Sequence, residues 1–294
     1  MEQLIRKGKV KEVYARDGFL RFHFTDSISV FDRVIPTEIP GKGEILCNLS
    51  ARWFEKTSDI ARNHFITLLS PKDMLVRRFD VLDRPTVDDS NYLIPLEFIV
   101  RHYVSGSLYD RLVKGVISPE NLGLDEVRYG ARLPSPLFEI TTKFEEHDRR
   151  VDLEEAMRIG GLTVDDITAI RAICLAIDDV LEKEARKGGL IHVDGKKEFA
   201  FDEDRRPVLV DTFGTPDEDR FWDLEAYEEG RFVELSKERV RQHYREIGFH
   251  EKLMEARERG EPEPDIPPLP EEIVDEVAAL YREIYRRLTG EEYG

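Results

Sequence analysis

The strongest constraint on this chain is a long amphipathic stretch that runs without a break into two short apolar runs. From Val164 to Lys187, Ile167, Ile170, Cys174, Ile177 and Leu181 recur at three- and four-residue intervals, the period of a helix with one buried face. Thr163 with Asp166 makes a cap-like start, and Gly188-Gly189 a stop. The chain then enters GGLIHVDGKKEFAFDEDRRPVLVDTFGTPDEDRFW, residues 188–222. Lys197–Phe201 and Pro207–Asp211 flank the polar cluster Asp202–Arg206, the pattern of an antiparallel hairpin.

Pairing Phe201 with Val208 and Phe199 with Val210 puts apolar groups on one face. The same register sets Glu198 opposite Asp211 on the other face. Facing carboxylates with Cβ atoms about 5 Å apart repel. A divalent cation between them reverses the sign, and a small set of hard oxygen ligands suits Mg²⁺. Lys196 and Lys197 stand beside the pair, placed to meet phosphate oxygens. The spacing equally fits a solvated acidic hairpin that the two lysines neutralise.

The chain has 294 residues, enough for one large or two modest domains. Charged residues make up 36% of it and the net charge is -17, which argues against a general nucleic-acid binder. An anionic substrate therefore needs a local positive pocket. The two cysteines, Cys47 and Cys174, make neither a disulfide framework nor a zinc site. No signal-peptide pattern and no apolar run of membrane-spanning length occurs, so a cytoplasmic protein is expected.

The first hundred residues read mainly as strands. Phe19–Thr25 alternates strictly, with Leu20, Phe22 and Phe24 on one face and Arg21 and His23 on the other. Gly8-Lys9-Val10-Lys11-Glu12-Val13-Tyr14 starts with a glycine and then alternates, with Lys9 and Lys11 pointing the same way; such a strand can cover a nucleotide's phosphates. Neither a Walker A loop nor a Rossmann fingerprint is present. Thr25–Asp32 reads as a capped turn, Asn48–Lys56 as a helix, and Met74–Phe79 and Tyr92–Tyr103 as strands, with Pro95 marking an edge or a connection.

After the apolar run Phe98-Ile99-Val100 comes Arg101, and Ser105-Gly106-Ser107 precedes a helix from Leu108. Hydroxyls and backbone N–H groups at a helix start bind anions, and an arginine grips a carboxylate or phosphate with two bonds. A plain helix cap with a surface arginine reads the same stretch as well. Leu133-Pro134-Ser135-Pro136 reads as an extended connector, and 236–247 and 273–288 as helices closed by Gly248 and Gly290.

Taken together, GKVKEVY, TDSISVFD, VRHYVSGSL, LPSPLFEITTKFEEHD, VDGKKEFAFD, DTFGTPDEDRFWD, SKERVRQHY and YREIYRRLTG resemble the SAICAR synthetase family, in family order and over nearly the whole chain. Thr212 stands where the family usually has an acidic residue, and Ser236-Lys237 where it has Asp-Lys. The resemblance implies an α+β fold in two parts, similar in layout to ATP-grasp enzymes and protein kinases. A sheet domain over residues 1–95 would cover ATP, and a larger part over 96–294 would bind substrate and metal, with the adenine near Asp80–Glu97. The implied reaction joins carboxyaminoimidazole ribonucleotide (CAIR) to L-aspartate with ATP and Mg²⁺ as cofactors.

By the same resemblance, Glu198 and Asp211 hold the metal. Lys196, Arg220 and Asp32 serve catalysis. Gly8, Lys9, Val10, Lys11 and Glu97 serve ATP. Arg101, Ser105, Gly106, Ser107, Lys143, Asp148 and Arg220 bind substrate, with Arg101, Ser107 and Arg220 on its phosphate or carboxylates. The implied partners are small molecules, with neither nucleic acid nor membrane, and a homo-oligomer is compatible with the resemblance. A small-molecule kinase on a similar scaffold and a catalytically dead nucleotide-binding protein are the alternatives.

Overall fold

The computed structural model describes residues 2–145 and 149–293. It begins with strands β1 (Gln3–Lys7), β2 (Lys11–Arg16), β3 (Phe19–Phe24), β4 (Ser27–Val30) and β5 (Arg33–Glu38), then helix α1 (Lys42–Lys56), β6 (Phe65–Ser70) and β7 (Asp73–Arg77). Next come β8 (Leu93–Tyr103), α2 (Gly106–Val113), β9 (Arg132–Thr142), β10 (Arg150–Val151), α3 (Leu153–Gly160) and α4 (Val164–Lys187). The chain continues through β11 (Leu190–Phe201), β12 (Pro207–Val210), β13 (Asp219–Asp223), α5 (Leu224–Glu228), α6 (Glu238–Glu246), α7 (Phe249–Arg259) and α8 (Glu271–Thr289). No helix among the described residues is long and apolar enough to cross a membrane.

These elements form two compact units: Met1–Arg52 with Phe65–Arg78 and Glu234–Gly294, and Trp53–His64 with Phe79–Val233. The grouping differs from a single cut after residue 95. The last sixty residues join the first unit because their side chains and backbone bond to its β-hairpin. Arg33 Nη1 lies 3.0 Å from Glu263 Oε2, and the Leu269 N–H donates to Thr37 Oγ1 at 2.9 Å.

The first unit is built on a five-stranded antiparallel sheet in the order β1-β2-β3-β7-β6. Phe22 and Phe24 point into the core as the alternation of β3 predicts, while Arg21 and His23 stay half-buried. The predicted strand from Gly8 is shorter than expected. Gly8 to Val10 form the turn between β1 and β2, where the Gly8 N–H donates to the Lys11 carbonyl at 2.8 Å. Lys9 and Lys11 therefore do not share a strand face.

The second unit is a six-stranded sheet, β10-β9-β8-β11-β12 with β13 also on β11, backed by α4. Helix α4 spans the predicted residues, with a reciprocal Thr163–Asp166 capping box. Ile170, Cys174, Ile177 and Leu181 are fully buried, and each large aliphatic among them contributes roughly 1.5–3 kcal/mol. Trp53 and Phe54 are core residues, as expected.

The hairpin register is one residue away from the expected one. Glu198 pairs with Val210, Phe199 with Leu209 and Ala200 with Val208. Asp211 lies just beyond β12, with a left-handed φ of 62°. The shift follows from the turn: the Asp202 carboxylate accepts from the Asp204 and Arg206 N–H groups, and Pro207 then pairs with Phe201. The segment 133–136 is not a free connector but part of β9. Both proline-bearing stretches sit at bulges: the β8–β9 register shifts between Arg101 and Tyr103, and the β11–β8 register between Glu198 and Ala200. Prolines at bulges cost the ladder no donor.

Candidate active site

Antiparallel pairing arranges three strands so that one sheet face gathers charged side chains. On β11 the alternation puts Asp194, Lys196 and Glu198 on that face. Across from them on β8 stand Arg101, Ile99 and Glu97, and beyond these on β9 Leu137, Glu139 and Thr141.

At one end of this face the Lys196 ammonium bonds Glu97 Oε1 at 2.7 Å and Glu198 Oε1 at 3.0 Å, and lies 3.2 Å from Glu218 Oε2. Lys143 bonds Glu198 Oε2, and its Nζ is 3.7 Å from Asp211 Oδ2. Burial raises the Glu97 carboxyl to about 7, against the pull of Lys196 and with a further push from Glu198. Burial pushes Glu198 up as well, but the Lys143 and Lys196 ammonium groups outweigh it and hold Glu198 below the usual carboxylate range. Burial works against the charge on Lys196, yet Glu218, Glu198 and Glu97 hold its pKa well above the ordinary value.

At the other end Asp194 Oδ2 accepts from Arg220 Nη1 at 2.7 Å, Arg101 Nη1 at 3.0 Å and Ser105 Oγ at 3.2 Å. Arg101 also donates to Glu139 Oε2 at 2.7 Å and to Ser107 Oγ at 3.2 Å. Glu139 in turn takes both guanidinium prongs of Arg111, at 2.8 and 2.9 Å. Ser105 is the N-cap of α2 by position, but its hydroxyl serves Asp194 rather than the helix. Gly106 leaves room for Arg220: a Cβ there would lie 2.8 Å from Arg220 Nη2. Two arginines and two serine hydroxyls thus converge around the Asp194 carboxylate, with Glu139 taking the remaining prong of Arg101.

Of the residues expected in the first unit, Asp32 sits in the two-residue turn between β4 and β5. Both turn residues are left-handed, Phe31 at φ 51° and Asp32 at φ 66°, the geometry of a type I′ hairpin. Left-handed phenylalanine is uncommon; here the Phe31 carbonyl accepts from Arg257 Nη2 at 2.9 Å and its ring lies 4.4 Å from that of His250. Lys9 donates to Asp32 Oδ1 at 2.7 Å. The Val10 carbonyl accepts from the Thr25 N–H and hydroxyl. Lys11 Nζ stands 4.5 Å over the Phe22 ring. Asp148 lies outside the described residues.

Sequence reasoning missed Asp194, Glu139, Arg111 and Glu218. Asp194 was within reach, because it sits two and four residues before Lys196 and Glu198 and shares their face. Glu139 follows the stretch 133–136 that reads as a connector, so no strand period pointed to it, and Glu218 lies in a loop with no period to read.

A search against known families matches residues 4–256 to the SAICAR synthetase family. The chain belongs to the SAICAR synthetase family. A relative from Thermoplasma acidophilum, a phosphoribosylaminoimidazole-succinocarboxamide synthase, is 52% identical over 293 residues, covering 99% of this chain and all of the relative. Among solved structures of the family, the Saccharomyces cerevisiae SAICAR synthase complexed with SAICAR superposes with a TM-score of 0.78 at 26% identity, covering 100% of this chain and 96% of that one. A SAICAR synthetase in complex with ADP gives 0.72 at 26% identity, covering 98% and 99%. The mixed α and β architecture with antiparallel sheets is that of these family structures.

Around Lys196, four carboxylates (Glu97, Glu198, Asp211 and Glu218) meet two ammonium groups, Lys143 and Lys196. The face is short of positive charge, and a lysine already stands between Glu198 and Asp211. An all-oxygen donor set with this deficit fits Mg²⁺. The facing carboxylate pair is Glu97 and Glu198, not Glu198 and Asp211.

Proposed function

We propose that this chain is the ATP-dependent ligase that joins CAIR to L-aspartate, giving SAICAR, ADP and phosphate in purine biosynthesis. The observation that carries the reading is the neighbourhood of two unlike clusters on one sheet face, in a chain that matches family members end to end. One is a carboxylate–lysine cluster suited to a metal nucleotide. The other is an arginine–serine patch suited to a substrate anion.

A carboxylate is a poor acyl donor. In the proposed sequence a CAIR carboxylate oxygen attacks the γ-phosphorus of ATP and ADP leaves. The aspartate amine then attacks the acyl phosphate carbon, phosphate departs, and the amine gives up its proton. Such transfer depends on positioning and on neutralising the phosphate oxygens. When bound, Mg²⁺ supplies that neutralisation, with Glu198 and Asp211 as its protein ligands. Lys196 stays protonated and meets phosphate oxygens from its carboxylate cradle. Lys143 lies against Glu198 and 3.7 Å from Asp211 Oδ2, where its charge would complement that of a bound cation. Arg101, Arg220, Ser105, Gly106 and Ser107 hold the phosphate or carboxylates of the ligated molecules.

Gly8, Lys9, Val10 and Lys11 are assigned to ATP and Asp32 to substrate, on the family match of their motifs. The adenine is assigned to a cavity of about 740 Å³ lined by Val81, Leu82, Arg84, Pro95, Phe144 and Ile159, which supports the expected location near 80–97. On the family resemblance, the two-part layout is read as similar to that of ATP-grasp enzymes. Free, buried Cys47 and Cys174 support a cytoplasmic location.

A coupled ADP-release assay with CAIR tests the function. Strict dependence on L-aspartate and appearance of SAICAR are expected. Turnover without aspartate would overturn the ligase in favour of a kinase.

A further inference from the structure

Behind the catalytic face, under α4, lies a second charged cluster that the proposed reaction does not use. Lys197, Asp178, His192 and Asp219 are almost wholly buried. Lys197 is ion-paired with Asp178 Oδ1, and His102 Nε2 lies 2.9 Å from Asp178 Oδ2. His102, Asp178 and His192 are close enough to hold a metal by spacing. The Lys197 ammonium already answers the Asp178 charge, however, and repels a further cation.

Asp219 works differently. Its Oδ2 lies 2.7 Å from His192 Nε2, and its Oδ1 accepts the Gly214 N–H at 2.8 Å. His192 Nδ1 has no hydrogen-bond partner among the described residues, so Asp219 is the one polar anchor of that ring. The Gly214 carbonyl is taken by Trp53 Nε1 at 2.8 Å, so the loop is gripped on both sides of this residue. Asp219 reaches its place because residue 195 has no side chain: a Cβ there would lie 2.0 Å from Asp219 Oδ2. The gripped loop is the one that begins at Asp211 and brings Glu218 to Lys196. A buried carboxylate that accepts a backbone N–H and is itself held by an imidazole has one available orientation.

We propose that Asp219, braced by His192, is a positioning residue that fixes the 211–218 loop from behind the sheet and so sets Asp211 for the metal. The proposal rests on the metal role assigned to Asp211 above. It explains why a glycine stands at 195, between two residues of the catalytic face, and why a buried carboxylate is kept where an apolar side chain would pack at less cost.

The test uses D219A and D219N in the full chain, with D211N as calibrator. Mg²⁺ titrations are read by the rate and by the melting temperature with ADP, and amide exchange is followed over residues 212–215. D219N keeps an acceptor for the Gly214 N–H and is expected to stay within threefold of wild type in both readouts. D219A is expected to need about tenfold more Mg²⁺ and to exchange the loop amides about tenfold faster. Should D219A not fold, D219S takes its place, being small enough for the space under Gly195. A folded D219A or D219S with wild-type Mg²⁺ dependence, while D211N shifts it, overturns the positioning role. If D211N itself leaves the Mg²⁺ dependence unchanged, the metal reading falls instead, and unchanged loop exchange in D219A then overturns the anchor separately.

Discussion

Glu97 and Glu198 stand directly opposite each other on adjacent strands, both buried, with the Lys196 ammonium bridging their carboxylates. Burial foremost, with a smaller push from the Glu198 charge, moves Glu97 up to about 7 against the pull of Lys196, while Lys143 and Lys196 hold Glu198 below the usual carboxylate range.

The first prediction follows from that pair. A carboxyl raised in the folded state binds its proton more tightly folded than unfolded. Its contribution to stability is full below about 4.5 and is lost as pH rises through about 7. E97Q has no such loss. In metal-free melts it should gain on wild type between pH 5 and pH 8 by about 2–3 kcal/mol at most. A constant difference between the two pH values would show that Glu97 is ionised throughout.

Lys143 yields the second. Its ammonium lies against Glu198 and 3.7 Å from Asp211 Oδ2. Replacing it by glutamine leaves those carboxylates with less positive charge in the metal-free protein. K143Q should therefore melt lower without Mg²⁺ and gain more from it, at least twice the wild-type rise in melting temperature, because a ligand that binds only the folded state stabilises it by mass action. Equal Mg²⁺-induced shifts in the two proteins would refute this stand-in role.

Arg101 gives the third. Its guanidinium reaches Glu139, Asp194 and Ser107 at once, and a lysine satisfies only part of that fork. Charged hydrogen bonds contribute about 1.5–3 kcal/mol, so R101K should lower kcat/KM for CAIR or aspartate roughly ten- to hundredfold. The KM for ATP should hardly change. Wild-type kinetics toward both substrates would remove Arg101 from the anion patch.

The fourth concerns the buried pair on the other face. Burial pushes Asp178 up, but Lys197 foremost and His192 next bring it down to about 2. Removing one partner strands a charge in the core, so K197M or D178N should each cost about 3–5 kcal/mol in urea unfolding. The double variant K197M/D178L should recover much of that. If the double costs as much as both singles together, the two groups do not act as a pair.

Much of this was legible in the residues. Helix α4 was readable to its ends because apolar period, cap and glycine stop all agree. The stretch from Arg101 to Ser107 was readable as a strand end, a Ser-Gly-Ser turn and a helix start. The hairpin register was not: Phe199 and Phe201 pack acceptably against either Val208 and Val210 or their neighbours, so the apolar pattern alone does not choose. The turn hydrogen bonds of Asp202 make that choice. Prolines misled the reading of β9, because a bulge removes the penalty that makes proline a strand breaker. Buried Asp178 could not be foreseen on an apolar helix face, since its partner Lys197 is nineteen residues away and on a different element.

The neighbouring lysines of β11 have a consequence for folding fidelity. Lys196 serves one face of the sheet and Lys197 the other. A one-residue slip that brings Lys197 to the place of Lys196 would put a chemically identical side chain there, and at that one position the error would be nearly silent. It would not be silent at the next position: Glu198 would take the place of Lys197 under α4, against the Asp178 carboxylate, while Phe199 turned toward the carboxylates. A buried unpaired glutamate is costly enough to empty the slipped state. The strand thus carries its own proofreading signal, and E198L, which abolishes that signal, should make refolding slower and more heterogeneous even where the native fold tolerates it.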